Sequence, residues 1–110
     1  MQPVPLVCIV DDDPAALHSV GSLLAAFKYE VRAFRSAEEF LAANVKADRG
    51  CVLCDIRLPG ISGIELQSRL APEGFLLPVI LISGYADSEM VTEALRNGAV
   101  AVLEKPIDPA

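Results

Sequence analysis

The sequence predicts an α/β fold, a doubly wound parallel sheet of five strands in the order 2-1-3-4-5. Three observations predict it. Short apolar runs alternate with stretches of helical periodicity along the chain, the pattern of a parallel sheet with helices on both faces. The 110 residues are 53% hydrophobic, enough for one packed core in one domain spanning residues 1–110. The apolar runs also stop on polar residues, Asp11, Asp12, Asp55, Ser83 and Lys105, at the strand ends where open α/β sheets gather their ligands.

Each element has its own signal. Residues 6–10, LVCIV, are a continuous apolar run and read as a buried strand. Asp13 followed by Pro14 reads as a helix cap and first helical residue. Leu17, Val20, Leu23, Leu24 and Phe27 then recur at helical spacing, which carries the first helix to about Lys28. Residues 30–34 alternate Val31 and Ala33 against Glu30 and Arg32, as an edge strand does. Ser36 with Glu39 is a capping box ahead of a short helix bearing Phe40 and Leu41. Asp48, Arg49 and Gly50 make a turn, and residues 51–54 form the third strand, ended by Asp55.

The loop from Arg57 to Gly63 is dense in turn formers. A helix from Gly63 to about Leu70 packs through Ile64, Leu66 and Leu70. Pro78 introduces a fourth strand, residues 79–82, which ends on Ser83 and Gly84. Asp87 caps a helix that Asn97 and Gly98 stop. Residues 99–103 are the fifth strand, followed by Glu104, Lys105 and Pro106.

Composition excludes several classes of function. Net charge is −6, which argues against direct binding of nucleic acid through its phosphates. No apolar block approaches the ~20 residues of a membrane span, and the N-terminus lacks a secretory signal. A cytoplasmic protein is expected. Cys51 and Cys54 match C-x-x-C, yet on a strand such residues lie ~10 Å apart on opposite faces, too far for a disulfide. With His18 the single histidine and no second ligand pair, the cysteines read as buried hydrophobes in a reducing compartment.

The order 2-1-3-4-5 makes the first and third strands neighbours, so Asp11 and Asp12 face Asp55. Two carboxylates ~4 Å apart repel by about 4 kcal/mol at an effective dielectric near 20. A hard divalent cation offsets that repulsion, and Mg²⁺ suits oxygen ligands and phosphate. Ser83 contributes a hydroxyl donor and Lys105 a fixed positive charge. A carboxylate, a lysine, a hydroxyl and Mg²⁺ around one point suit phosphoryl transfer, with Asp55 as nucleophile.

The segments "IVDDD", "CDIRLPGISGIEL", "LISG" and "VLEKP" resemble, in order and spacing, the receiver domain of bacterial two-component response regulators. The likeness covers nearly the whole chain. The wording of the second and fourth segments is similar to nitrogen-fixation-type regulators with helix-turn-helix output, so the resemblance implies a DNA-binding output domain outside these residues. It implies an arrangement of the flavodoxin-like type. Asp55 would accept a phosphoryl group from a sensor histidine kinase. Asp11, Asp12, Asp55 and the backbone carbonyl of Arg57 would hold Mg²⁺ or Mn²⁺, Asp11 through water. Lys105 would bind a phosphoryl oxygen ahead of a cis bond to Pro106. Ser83 would swing in as the switch, Gly84 would leave the donor access, and Arg57 and Tyr85 would tune the lifetime of the phosphoaspartate.

Two departures stand out. The aromatic switch residue of the family falls at Val102, and the fifth helix that usually follows the Lys-Pro pair is missing here. One sheet face would then be covered mainly by the first helix, and the expectation is a domain truncated before its last helix, a homodimer formed through the bare face, or a domain-swapped form. Competing readings are weaker. A docking module of the same fold that works without phosphorylation has no need of an intact acidic pocket. A flavodoxin-like cofactor binder would not place "DDDPAA" where a phosphate loop belongs. A haloacid-type phosphatase needs an acid where Arg57 stands.

Overall fold

In the computed structural model, strands β1 (Leu6–Val10), β2 (Glu30–Phe34), β3 (Gly50–Asp55), β4 (Val79–Ser83) and β5 (Ala101–Glu104) alternate with helices α1 (Pro14–Ala26), α2 (Ala37–Ala43), α3 (Gly63–Leu70) and α4 (Ser88–Arg96). The structure describes residues 4–70, 74–75, 77–83, 88–96 and 101–104. All strand pairs are parallel, and their order is β2-β1-β3-β4-β5, the topology the sequence predicts.

Alternate residues of the strands feed two core layers, as the period-2 geometry of a strand requires. Cys8, Val10, Val52, Cys54 and Leu81 face one way, packed with Phe34, Phe40, Leu66 and Leu70. Val7, Ile9, Leu53 and Ile82 face the other way, against Leu17, Val20 and Leu24 of α1. The edge-to-face stack of Phe34 on Phe40, with ring centroids 5.2 Å apart, ties β2 to α2. Cys51 packs with the α1 layer and Cys54 with the opposite one, and all three cysteines are free.

The helix caps follow the sequence. The Asp13 side chain accepts from the Ala15 amide at 3.0 Å, and Ser36 accepts from the Glu39 amide at 3.0 Å. Asn44 ends α2 in the left-handed region, φ 48. Several boundaries are corrected. The first helix stops at Ala26 rather than about Lys28, and Phe27 is 68% exposed instead of continuing the core stripe. The chain must reverse here to enter β2, whose first amide, Glu30, donates to the Pro5 carbonyl. Lys28 makes the reversal at φ 67, a conformation a helix cannot include. Strand β3 gains Gly50 and Asp55 over the predicted run, β4 gains Ser83, and β5 gains Glu104. The predicted cap Asp87, the stop at Asn97 and Gly98, and residues 99–100 of the fifth strand lie outside the described residues.

Candidate functional site

The registry of β1 and β3 builds the site. Val10 pairs with Cys54, so the next residue of each strand, Asp11 and Asp55, arrive level at the carboxyl ends of neighbouring strands. Both stay nearly buried, 4% and 7% exposed, while Asp12 is exposed. One carboxylate oxygen from each of Asp11, Asp12 and Asp55 lies within 4.8 Å of the others. The sequence expectation that these three converge is met.

Backbone amides fix the two buried carboxylates. The Asp13 amide donates to Asp11 Oδ1 at 3.0 Å, and the Arg57 amide donates to Asp55 Oδ1 at 3.1 Å. The Asp55 strand end is held in turn, because the Ile56 amide donates to the Ile82 carbonyl at 3.0 Å. The start of α3 presses against the same point. A β carbon on Gly63 would collide with the Asp55 carbonyl oxygen, and the Gly63 amide donates to the Ile56 carbonyl at 2.9 Å. Glycine at this position lets the helix approach the acidic strand end closely.

Three anionic oxygens this close in a crevice are hard donors in a concentration that favours a hard cation. The donor set therefore fits a hard cation such as Mg²⁺ or Mn²⁺, and the cysteines, which sit apart in the two core layers, form no thiolate site for a soft metal. Burial pushes the Cys8 thiol up to about 11, and it raises those of Cys51 and Cys54 too, so these thiols stay protonated at neutral pH.

The remaining expected residues divide. Ser83 is 5% exposed at the end of β4, one strand over from Asp55, whose partner across the ladder is Ile82. Arg57 sits on the loop after Asp55 with an exposed side chain. Val102, where the sequence expects no aromatic relay, is half-buried against the main core. Lys105, Pro106, Gly84 and Tyr85 lie outside the described residues. Sequence reasoning missed one partner of the loop, Glu38 of α2, whose carboxylate accepts from the Ile61 amide at 3.4 Å. Its place in the first turn of a helix explains it fully at the local level, and the 23-residue separation carries no local signal.

Comparison with known proteins is consistent throughout. Residues 7–110 match the family described as the response regulator receiver domain. TdiR, a transcriptional regulatory protein of Thauera aromatica, is 40% identical over 100 residues, covering 91% of this chain and 44% of TdiR. The transcriptional regulatory protein FixJ of Azorhizobium caulinodans is 42% identical over 104 residues, covering 94% of this chain and 49% of FixJ. The crystal structure of FixJ-N superposes with a TM-score of 0.87 at 36% identity, covering 99% of this chain and 86% of that one. The chain spans about half the length of the curated relatives it matches.

Proposed function

The chain belongs to the response regulator receiver domain family, and from that premise we propose that it is a phosphorylation-dependent signalling switch whose acceptor is Asp55. The donor is the phosphohistidine of a sensor histidine kinase. A carboxylate oxygen of Asp55 attacks phosphorus; the new O–P bond forms as the N–P bond breaks. The departing imidazole nitrogen keeps the bonding pair and takes a proton from solvent, leaving an acyl phosphate on Asp55. Slow attack by water on that phosphorus resets the switch.

Asp11, Asp12, Asp55 and the backbone carbonyl of Arg57 would hold Mg²⁺ or Mn²⁺, which when bound supplies positive charge against the phosphoryl oxygens. The chain's own groups do the rest. The Arg57 amide orients the acceptor through Asp55 Oδ1, and the Asp13 amide orients Asp11. Lys105 neutralises a phosphoryl oxygen, and the Ser83 hydroxyl donates to another, drawing in the end of β4. That movement is the signal. It acts on transcription through sequence outside these residues, as the names of TdiR and FixJ suggest, in the cytoplasm. No helix among the described residues is long and apolar enough to cross a membrane.

The observation that supports this reading best is the three carboxylate oxygens gathered within 4.8 Å. The test is incubation with acetyl phosphate and Mg²⁺ followed by intact-mass measurement. The wild-type chain is expected to gain one phosphoryl group, and Asp55→Asn none. An unshifted wild-type mass would overturn the switch and favour a docking module that works without phosphorylation.

A further inference from the structure

We propose that Glu38 is a positioning residue for the metal site, holding the loop between β3 and α3 in the shape that presents the Arg57 carbonyl to the cation. The proposal rests on the cation-centred reading above.

Both ends of this loop are pinned, the first to the sheet and the second to the first. The Ile56 amide bonds to Ile82 and the Gly63 amide to Ile56, and Leu58 is buried in the core. The tip, Pro59 and Gly60, is exposed. There the Glu38 carboxylate crosses from α2 and accepts from the Ile61 amide at 3.4 Å. A second observation points to the same contact. Gly60 adopts φ 76, and a β carbon on it would collide with Glu38 Oε2. The carboxylate thus occupies the space above the tip that any other residue at position 60 would fill.

The support behind Glu38 is rigid. Ser36 caps α2 and Phe40 is fully buried, so the first turn of the helix cannot rotate away without unpacking the core. A tether from a fixed helix to a loop tip restricts the loop residues between the tip and Asp55, Arg57 among them. Groups that orient a metal ligand from outside its coordination shell often change affinity ten- to a hundredfold. An exposed hydrogen bond of this length supports a smaller effect, roughly three- to tenfold.

The experiment compares Glu38→Ala, Glu38→Gln and Glu39→Ala with wild type by two measurements. One is amide hydrogen exchange across residues 57–61 in metal-free protein; the other is calorimetric titration with Mg²⁺. Glu38→Ala is expected to speed exchange at the loop tip and weaken Mg²⁺ binding roughly three- to tenfold. Glu38→Gln keeps an oxygen acceptor and is expected to restore both. Glu39→Ala removes a charge from the same helical turn and is expected to change neither. Unchanged exchange and affinity in Glu38→Ala would overturn the proposal. So would a Glu38→Gln variant as weak as Glu38→Ala, because charge rather than positioning would then be the cause. A wild-type chain that binds no Mg²⁺ would overturn the cation-centred reading and this proposal together, whereas the first two outcomes leave that reading standing.

Discussion

At the residue scale, the same burial that organises the acidic pocket silences the thiols of Cys8 and Cys54. Cys8 lies within the core, and burial pushes its thiol from 9.0 to about 11. The folded chain therefore holds this proton more tightly than the unfolded chain does. The stabilisation is fully present below pH ~9 and is lost as pH climbs toward 11. Denaturant unfolding followed across that window is expected to show falling stability, with a shallower fall in Cys8→Ala. An equal slope in the variant would mean other groups govern the alkaline limit. Cys51, half-buried, is expected to react with a thiol reagent in the folded state well before Cys8 or Cys54, which mass mapping of the labelled chain would reveal. The site acids were legible in the sequence because Asp11 and Asp55 close apolar runs, with Asp12 next in line, a position the sheet's own geometry fixes. Glu38 was not legible: in the sequence it is one of two adjacent glutamates starting a helix, and only folding brings it to Ile61.

At the scale of elements, sequence patterns located the strands and helices well, and the ends went astray where tertiary demands override periodicity. The apolar spacing of α1 continues through Phe27, but the return to β2 requires a left-handed residue, and Lys28 supplies it. Lysine has no intrinsic preference for that region, whereas glycine enters it freely. Lys28→Gly is therefore expected to stabilise the fold by about 0.5–1 kcal/mol, read as a higher denaturation midpoint with an unchanged slope. Gly50 is the opposite case. It starts β3 at φ 128, and a β carbon there would land on the Leu6 carbonyl oxygen. Gly50→Ala must displace the start of β3 from β1, the pair whose register delivers Asp11 and Asp55 together. It is expected to cost about 2–3 kcal/mol and to weaken Mg²⁺ binding as well. A variant that loses stability but keeps its affinity would show that the register is set nearer the site, by Val10 and Cys54.

For the molecule as a whole, the proposed metal site predicts that charge distribution couples stability to the cation. The chain carries a net charge of −6, and three of its acids meet at one rim, so metal-free protein folds against local repulsion. A ligand that binds only the folded state stabilises it by about 2.7 kcal/mol at a hundredfold excess over its Kd. For a domain of this size that corresponds to roughly 10 °C in melting temperature. Thermal unfolding in excess Mg²⁺ is expected to lie higher by about that amount than in a chelator, and added monovalent salt is expected to recover only part of the difference, by screening. The exposed member of the cluster separates repulsion from coordination. Asp12→Asn removes one charge without disturbing the buried amide bonds of Asp11 and Asp55. It is expected to melt above wild type in chelator, where repulsion dominates, and below it in Mg²⁺, where a ligand is missing. That crossing of the two melting curves follows from a shared cation and from no purely structural role of the aspartates. If Asp12→Asn and wild type keep the same order in both conditions, the three carboxylates do not act on one ion.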